Sequence, residues 1–301
     1  MEKQGVLNIF FKSVTIYFQN FTSFFKYMAF PVFGQIAGIV WILAISFCYI
    51  NYLPELMGKS SIMSSFSVIL AVFLLITLPG LFVTLKAFWD YLVAYGAINS
   101  MLDGLIKSGR LYDFPAHNEV VTRKSAKFIA IWLLISIMSI IAIIPIFWIF
   151  GIIFFIYFIL VFQIFIFEPE ESVFGCFKRS LEIIKGNWGK TFLLAILIGI
   201  FTNWFLPFVV NKTLDLLSII KFLAIPVDGI TTLLPIKEIN DSLSIQNRLT
   251  SLEISTAIVS GFSTFIITGL TLPMRSICWG LWYKNNVVKS SNKKSKKTKG
   301  K

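Results

Sequence analysis

Charged residues, histidine and cysteine are all scarce in this chain. Only 14% of its 301 residues are Asp, Glu, Lys or Arg, whereas soluble domains carry roughly a quarter. One histidine and three cysteines without paired spacing provide neither the ligand set of a zinc site nor a disulfide framework. Cys48, Cys176 and Cys278 are expected to be small buried or interfacial side chains. We therefore expect no metal and no cofactor.

Motifs of familiar catalytic chemistry are also missing. The sequence contains no GxxxxGK[ST] phosphate loop, no GxGxxG turn and no HExxH zinc motif. His117 lies beside Asp113 and Glu119, but no serine or cysteine nucleophile motif accompanies it, so we expect a solvated loop histidine. No catalytic residue is predicted, and the chain is expected not to be an enzyme.

Apolar residues are abundant instead. They make up 56% of the chain, with 32 phenylalanines, and the mean hydropathy is +0.80. A soluble core of this size could not hide so much apolar surface, so lipid is expected to cover much of it. The predicted fold class is an all-α, polytopic membrane helix bundle with six transmembrane helices and additional interfacial amphipathic helices. Residues 1–283 are expected to form this membrane domain.

Each predicted span is close to the roughly 20 residues that cross a hydrocarbon core. A tight turn at Pro145 must separate the third span from the fourth, because one uninterrupted helix from Phe128 to Phe167 would overshoot the bilayer. No cleavable signal peptide is apparent, and the first span is expected to act as an uncleaved signal. The predicted spans cover residues 28–50, 66–86, 126–145, 147–167, 190–210 and 254–275.

Residues 5–27, which precede the first span, have an amphipathic pattern. Polar side chains recur at spacings of mostly three and four, so they form one narrow stripe on a helix whose other faces are rich in phenylalanine. This pattern is typical of a helix that lies in the headgroup layer. The alternative is a helix packed in a soluble core. The stripe consists of Asn8, Lys12, Thr15, Gln19, Thr22, Ser23 and Lys26.

The basic residues predict the orientation. If the N-terminus is cytoplasmic, 22 of the 27 Lys and Arg residues lie on the cytoplasmic side and five lie outside. We therefore expect a protein of the bacterial inner (cytoplasmic) membrane with both termini cytoplasmic. Residues 284–301 carry eight lysines and are expected to form a disordered tail that either attracts anionic lipid or is a solvated topology signal. No nucleic-acid partner is expected, because no folded nucleic-acid-binding motif is present.

Residues 211–253 form the longest segment on the predicted outer side. Three charges and two prolines within an apolar stretch argue against a seventh span across residues 214–235. A surface-lying or partly re-entrant segment is expected instead. Within the six predicted spans, ionisable residues are essentially absent at mid-depth, which argues against a charge-coupled carrier. Gln35, Gln163 and Asn203 are expected to join helices by hydrogen bonds.

Two parts of the chain look alike. In each, an amphipathic segment leads into a span, and the second span that follows contains a Leu-Pro pair, Leu78-Pro79 or Leu272-Pro273. The pattern indicates two parallel helix–span–loop–span units, with the third and fourth spans inserted between them. The residues Ser13, Ile16, Asn20 and Phe21 align without a gap on Ser180, Ile183, Asn187 and Trp188.

The second of these parts belongs to a distinctive segment from Glu168 to Trp188. Pro169 and three neighbouring glutamates predict a helix start, because negative charge is favourable at a helix N-terminus. Gly186 is predicted to end this helix in the left-handed conformation, and Asn187 to cap the span that follows. The predicted apolar face of Val173, Phe177, Leu181 and Ile184 lies opposite the polar face of Glu171, Lys178, Glu182 and Lys185.

This segment resembles the membrane domain of some glycerophosphoryl diester phosphodiesterases and of related six-span bacterial membrane proteins, the YciC-like group. The resemblance implies a six-span fold but no activity, since the phosphodiesterase chemistry of fused relatives belongs to a separate barrel domain of which this sequence contains no part. Cys176 stands where the family more often has alanine. The shared pattern is carried by Glu171, Arg179, Ser180, Leu181, Ile184, Lys185, Gly186, Asn187 and Trp188.

The candidate lipid-headgroup contacts are Lys178, Arg179 and Lys185. The planar guanidinium of Arg179 suits a lipid phosphate better than lysine does; the alternative is that Arg179 and Ser180 anchor their helix to neighbouring spans. We predict a non-enzymatic integral membrane protein that acts on membrane or envelope organisation through contacts with the lipid bilayer, including anionic lipids at the cytoplasmic face, or with protein partners that the sequence does not identify. The alternative is a transporter or permease component for a neutral or lipidic substrate.

Overall fold

Helices form all the regular structure that the computed structural model describes. It describes residues 4–59, 65–108, 113–234, 236–242 and 248–298. Within these ranges there are fourteen α-helices, one short 3₁₀-helix and one π-helical turn, and no strand. The predicted all-α class is therefore confirmed.

The helices differ widely in length, from seven residues in the shortest to 43 in the longest. The 3₁₀-helix, Pro145–Phe147, precedes the sixth helix, and the π-helical turn, Phe201–Phe205, lies between the ninth and the tenth. In chain order the α-helices are α1 (Val6–Gln19), α2 (Phe21–Lys59), α3 (Phe66–Ser108), α4 (Phe114–Thr122), α5 (Ser125–Ile143), α6 (Trp148–Phe158), α7 (Val161–Phe167), α8 (Val173–Ile184), α9 (Trp188–Ile200), α10 (Leu206–Leu216), α11 (Ile219–Thr231), α12 (Ile236–Ser242), α13 (Ser251–Leu270) and α14 (Leu272–Thr298).

Five helical segments are long and apolar enough to cross a membrane, and a sixth is present if α4 and α5, which bend by 73° at their junction, count as one span. Each segment overlaps one of the six predicted spans. Many large apolar side chains on these helices are exposed, which suits a surface covered by lipid. The chain is therefore an integral membrane protein. The segments are Phe21–Glu55, Phe66–Leu102, Phe114–Thr122 with Ser125–Ile141, Pro145–Phe167, Trp188–Leu216 and Ser251–Val287.

The predicted turn at Pro145 is present. Helix α5 ends at Ile143, and Ile144 has an extended backbone with φ −68° and ψ 122°. The pyrrolidine ring of Pro145 disfavours the helical conformation for the residue before it, so the helix ends there. The 3₁₀-helix then reverses the chain, and α6 packs against α5.

The predicted interfacial helix over residues 5–27 is two helices in the structure. Helix α1 ends at Gln19, and α2 begins at Phe21 and continues into the first span. Asn20 separates them with a non-helical backbone, and its side-chain amide donates to the carbonyl of Ile16 at 3.0 Å. Asparagine side chains compete with the helix in this way for backbone groups. The last part of the predicted polar stripe therefore belongs to α2.

The C-terminal segment also differs from the prediction. Helix α14 continues to Thr298, so most of the segment 284–301, which was expected to be disordered, extends a helix. An existing helix extends without the cost of a new nucleus, and lysine is a good helix former. Residues 299–301 lie outside the described residues.

The chain forms two compact units, Met1–Ala195 with Leu272–Lys301, and Ile196–Thr271, whereas residues 1–283 were expected to be one domain. In the first unit, α2 and α3 form a long antiparallel pair, and α14 packs against α1, α3 and α8. The α2–α3 pair is close because glycines face each other: a Cβ at Gly38 would lie 2.5 Å from the carbonyl oxygen of Gly80 and against the hydroxyl of Thr84. Contacts between small residues of this kind are common between membrane helices.

Buried polar side chains also join helices of the first unit. Gln163 on α7 donates to the Tyr95 hydroxyl on α3 at 2.9 Å, and Ser276 on α14 donates to the Tyr95 carbonyl at 2.9 Å. The helix-joining role predicted for Gln163 is confirmed. The same prediction is wrong for Gln35 and Asn203, because each donates to the carbonyl four residues earlier in its own helix.

In the second unit, α10 and α11 pack against α13. Asn211 on α10 donates to the Thr264 hydroxyl at 2.8 Å, and the hydroxyls of Thr231 on α11 and Ser255 on α13 lie 2.6 Å apart. Helix α11 has 13 residues, so its length is about 20 Å, less than the roughly 30 Å of a hydrocarbon core. This agrees with the expectation that residues 214–235 do not form a seventh span.

Candidate functional site

Helix α8 and the residue that follows it carry the three predicted lipid contacts. The helix begins at Val173, later than the predicted start at Pro169, because Ser172 provides the N-cap: its hydroxyl accepts the Gly175 N–H at 3.0 Å. The Glu171 carboxylate lies over the first turn, where a Cβ at Gly175 would meet it. Negative charge therefore does meet the positive end of the helix, as the sequence predicts.

The face of α8 that packs on protein overlaps the predicted apolar face only in part, since Ile184 of that face is fully buried. Cys176 and Ser180 are fully buried, and the Ser180 hydroxyl donates to the Tyr157 carbonyl on α6 at 2.7 Å. Leu181 of the predicted apolar face is 40% exposed, and Phe174 is 74% exposed. The small side chains of the protein-facing side let α8 approach its neighbours closely. Phe174 and Leu181 are left for lipid.

Arg179 is held by two carboxylates. Its Nε donates to both oxygens of Glu168 at 3.1 and 3.2 Å, and a terminal nitrogen donates to Glu182 at 3.4 Å. The side chains of Arg179 and Glu168 are each 23% exposed. The Glu168 carboxylate also accepts the Tyr283 hydroxyl at 2.6 Å. Glu168 therefore links α8 to α14.

The electrostatic balance at Arg179 favours its ion pairs. Burial by itself lowers the pKa of the Arg179 guanidinium. The hydrogen bonds and charge of Glu168 and the hydrogen bond of Glu182 raise it, and together they outweigh burial. The pKa is therefore raised above its ordinary value. A lipid phosphate at this guanidinium would have to displace carboxylates that already neutralise it. Of the two interpretations of Arg179, the arrangement favours the structural anchor.

An aromatic pair adjoins this ion pair. The rings of Phe167 and Tyr283 are stacked with centroids 5.1 Å apart, and the Lys284 ammonium lies 4.8 Å from the Phe167 centroid, within the range of a cation–π contact. We call Phe167, Glu168, Arg179 and Tyr283 the Glu168 cluster. It connects the end of α7, the middle of α8 and the middle of α14.

Two lysines hold the turn that precedes α8. Lys124 is the residue before α5, and Lys127 lies in the first turn of α5. Lys124 donates to the Pro169 carbonyl at 3.2 Å, and Lys127 donates to the carbonyl of Glu171. The Lys127 ammonium also lies 5.3 Å from the Phe165 centroid. The two ammonium groups thus bind backbone carbonyls of the turn, and they fix the turn to the start of α5.

Lys178 and Lys185 remain available for other partners. Both side chains are exposed, and in the described part of the chain neither makes a hydrogen bond or an ion pair. They lie seven positions apart, about two helical turns, so they project from one side of α8. Phe174 and Leu181 are exposed on the same helix. Basic and apolar side chains side by side are typical of a helix in the headgroup layer.

Sequence reasoning missed Tyr283 and Lys127, and it assigned Glu168 only to a helix N-terminus. A signal for Glu168 was present. It is the first acidic residue after the long apolar run that begins at Phe128. A carboxylate at such a boundary needs a partner, because an isolated charge near the hydrocarbon is costly. Nothing comparable pointed to Tyr283, whose hydroxyl resembles that of any interfacial tyrosine.

His117 differs from the predicted solvated loop histidine. It lies on α4, and its Nδ1 is 2.9 Å from the Ser100 hydroxyl on α3. Its ring has no hydrogen bond to a carboxylate in the part of the chain that the structure describes, so the pair lacks the third member of an acyl-transfer triad. The same described residues contain no group of three His, Cys, Asp or Glu side chains that could hold a metal ion.

The fold and the Glu168 cluster define an α-helical integral membrane protein with short amphipathic helices anchored beside its spans. Comparisons with models of known protein families, with curated proteins and with solved structures found no match. The resemblance of residues 168–188 to the six-span bacterial group therefore stays a prediction.

Proposed function

We propose that this chain is a non-enzymatic protein of the bacterial cytoplasmic membrane, with both termini in the cytoplasm, that organises the membrane by binding anionic lipid headgroups along its short amphipathic helices. The observation that carries this proposal is the surface of α8. Lys178 and Lys185 are exposed beside the exposed Phe174 and Leu181, while the neighbouring Arg179 is already paired within the protein.

Helix α1 supports the same function. It has 14 residues, too few to cross a bilayer, and it packs on α14, as α8 does. Ile9 and Tyr17 form part of its buried face, while Phe11 and Phe18 are exposed. Two short helices thus rest on one long helix, and each leaves aromatic side chains exposed. Such side chains are suited to the boundary between headgroups and acyl chains.

Electrostatics favours anionic lipid at these helices. A well-placed lysine near an anionic membrane surface contributes about 1 kcal/mol, and the excess of Lys and Arg lies on the side that the proposed orientation makes cytoplasmic. Partial immersion of the apolar side chains adds to this attraction. Lysines and phenylalanines together would therefore hold α8 in the inner leaflet.

A second candidate function is a transporter or permease component for a neutral or lipidic substrate. One observation favours it: the segment Trp188–Leu216 is interrupted by the π-helical turn Phe201–Phe205, which contains Asn203. π-Helical turns are frequent at functional sites, and interrupted spans form the substrate sites of many transporters.

Quantifying the lipid retained by the purified protein tests the leading proposal. The protein would be extracted from a mixed bilayer of phosphatidylglycerol and phosphatidylethanolamine, and bound lipid would be measured by mass spectrometry. We expect phosphatidylglycerol to be enriched, and a variant carrying Lys178→Gln and Lys185→Gln to lose most of the enrichment, about fivefold in affinity per lysine. The matched control is a variant carrying Lys212→Gln and Lys221→Gln, which removes two exposed lysines from the second unit.

Two results would contradict the proposal. The first is equal binding of the two lipids; the second is an equal loss in the two double variants. The alternative function is tested in parallel with the protein reconstituted in vesicles. Protein-dependent solute flux or lipid scrambling, abolished by changes within Phe201–Phe205, would replace the organising role with transport.

A further inference from the structure

A cavity of about 240 Å³ lies where the start of α1, the first turn of α9 and the middle of α14 meet. It is separate from the Glu168 cluster and from the exposed surface of α8. Its lining includes Lys190, Asn285 and Asn286, together with the indole of Trp282. Among the described residues that line it there is no carboxylate. Most of the wall surface is apolar, and the side chains of Lys190, Asn285 and Asn286 provide its polar groups. The positive charge of Lys190 is not neutralised within the cavity.

A reciprocal pair of hydrogen bonds joins the backbone of Gln4 to the side chain of Asn285 at this cavity. The Gln4 N–H donates to the side-chain oxygen of Asn285 at 3.1 Å, and the Asn285 amide nitrogen donates to the Gln4 carbonyl at 3.2 Å. One side chain therefore occupies both backbone groups of a residue 281 positions away. The cavity wall is held in place before any ligand arrives.

This fastening places the N-terminus of α1 at the cavity. The helix begins at Val6, and its first backbone bond joins the Ile9 N–H to the Gly5 carbonyl. Gly5 has no side chain to cap the helix. The N–H groups of Val6, Leu7 and Asn8 make no hydrogen bond within the described residues. Uncapped N–H groups carry about half an elementary positive charge at a helix N-terminus and form a ready anion site.

Two side chains show that the cavity is more than a helix end. Lys190 is exposed in the first turn of α9, where a cation opposes the helix dipole, and it has no partner among the described residues. Asn286 is only 3% exposed. Its nitrogen donates to the Trp282 carbonyl at 2.8 Å, and its buried oxygen has no hydrogen-bond partner in the described part of the chain. A buried acceptor of this kind is costly unless a ligand supplies a donor.

We propose that this cavity binds a phosphate group that also carries a hydroxyl or amine donor, as a phospholipid headgroup or a soluble phosphate does. The N–H groups at the start of α1 and the Lys190 ammonium hold the phosphate oxygens. The Asn286 oxygen accepts a hydrogen bond from the donor on the ligand. The site lies apart from Lys178 and Lys185 and does not depend on the proposed function of α8.

Calorimetric titration of the detergent-solubilised full chain tests the proposal and distinguishes the two sources of phosphate. The probes are inorganic phosphate and dihexanoyl phosphatidylglycerol, with dihexanoyl phosphatidylcholine as the headgroup that carries a phosphate but no donor. We expect saturable binding of at least one of the first two probes and weaker binding of phosphatidylcholine. Binding of inorganic phosphate indicates a soluble ligand, and binding of phosphatidylglycerol alone indicates a lipid headgroup.

Substitutions assign the binding to the cavity. Lys190→Gln is expected to weaken binding about tenfold, the effect of losing one charge-assisted hydrogen bond. Lys212→Gln, which removes an exposed charge of the second unit that does not line the cavity, should change it less than about twofold. Val6→Pro removes one N–H group and keeps the helix, since proline is tolerated at the first helical position and the extended backbone of Gly5 accepts it; it should weaken binding as well.

The proposal is overturned if neither inorganic phosphate nor phosphatidylglycerol binds saturably, or if Lys190→Gln and Lys212→Gln weaken binding equally. The second result would mean that the net positive charge of the protein attracts the phosphate and that the cavity does not bind it. It would leave the proposed function of α8 intact. Thermal unfolding of each variant without ligand serves as the control that each variant is folded when its binding is measured.

Discussion

Arg179 and Glu168 are joined by two hydrogen bonds, from the guanidinium Nε to both carboxylate oxygens, at 3.1 and 3.2 Å. The Tyr283 hydroxyl donates to the same carboxylate at 2.6 Å. The three side chains come from α8, from the turn before it and from α14. Loss of Arg179 would leave a partly buried carboxylate without its counter-ion, and this costs more than the loss of an exposed charge.

Arg179→Lys is expected to lower the free energy of unfolding by about 1–2 kcal/mol, because a single ammonium cannot reproduce the forked contacts to Glu168 and Glu182. Bound anionic lipid should stay unchanged. The measurement is thermal unfolding in detergent alongside lipid quantification. The control is Arg123→Lys, whose pair with Glu119 is exposed at 75% and 61% and should change stability by less than about 0.5 kcal/mol. Loss of bound lipid at unchanged stability would instead make Arg179 a phosphate ligand.

The contact between α2 and α3 makes a prediction about Gly38. A Cβ at this position would lie 2.5 Å from the Gly80 carbonyl oxygen and against Thr84, so the two helices would have to separate. Gly38→Ala should therefore lower the free energy of unfolding by about 1–3 kcal/mol. Gly58→Ala, in the same helix but with no atom near its Cβ, should be neutral or slightly stabilising. Equal effects of the two changes would show that backbone propensity, not packing, governs α2.

Cys176 is expected to be chemically inert in the folded protein. It is fully buried, and burial raises the pKa of its thiol, so less reactive thiolate is present at pH 8 than in a free cysteine. Alkylation by N-ethylmaleimide, mapped by peptide mass spectrometry, should be on the order of 100-fold slower at Cys176 than at an exposed cysteine introduced by Lys178→Cys. Comparable rates would mean that α8 opens readily.

The same pKa shift has a consequence for stability. Because the thiol pKa of Cys176 is raised in the folded state, the folded protein keeps this proton at a pH where the unfolded chain has lost it. The contribution of the Cys176 thiol to the free energy of unfolding is fully present below about pH 8.5, the ordinary thiol pKa. It decreases as the pH rises further. Cys176→Ala should remove this part of the alkaline dependence of unfolding.

The spans could be predicted from the sequence because the bilayer imposes a length and an apolar composition on each of them. The turn at Pro145 was equally readable, since proline acts through local sterics. The left-handed Gly186, with φ +85°, also follows from a local rule. What these features share is that each depends on a few consecutive residues.

Contacts between distant residues could not be predicted in this way. Glu168 and Tyr283 are 115 positions apart, and no pattern in either neighbourhood identifies the other. The protein-facing side of α8 was predicted only in part for a related reason: Ile184 is buried as expected, but Leu181 is exposed although it is more apolar than the buried Cys176 and Ser180. In a bilayer, apolar character alone does not separate a lipid-facing surface from a protein core.

The predicted internal repeat has a structural counterpart at Asn20 and Asn187. Each follows the end of an amphipathic helix, and each donates its side-chain amide to the carbonyl four residues earlier, at 3.0 and 3.5 Å. Each also accepts a backbone N–H from the residue four positions later. The aligned serines, Ser13 and Ser180, are both fully buried. The two segments look alike because the same residue types make the same contacts at the junction between an amphipathic helix and the span that follows it.

Cysteine labelling tests the proposed orientation. Asp241 is exposed in α12, and Glu119 and Lys185 are exposed at α4 and after α8. In a background without native cysteines, Asp241→Cys should react with an impermeant maleimide in intact cells, whereas Glu119→Cys and Lys185→Cys should react only after permeabilisation. Labelling of Lys185→Cys from outside would reverse the orientation and place the surface of α8 at the outer leaflet.

The exposed apolar residues of α8 make the last prediction. Fully burying a large apolar side chain contributes about 1.5–3 kcal/mol, and partial immersion contributes less. Phe174 and Leu181 contact little protein, so Phe174→Asp and Leu181→Asp should reduce stability in lipid nanodiscs more than in detergent micelles, where the surrounding surface adapts to the new charge. Ile183→Ala, on the protein-facing side, should reduce stability in both environments alike. Glu182→Gln changes only the half-exposed partner at 3.4 Å and leaves Arg179 its pair with Glu168, so it should be nearly silent in both. If Phe174→Asp behaves like Glu182→Gln in nanodiscs, α8 does not lie in the interface, and its lysines face water and not headgroups.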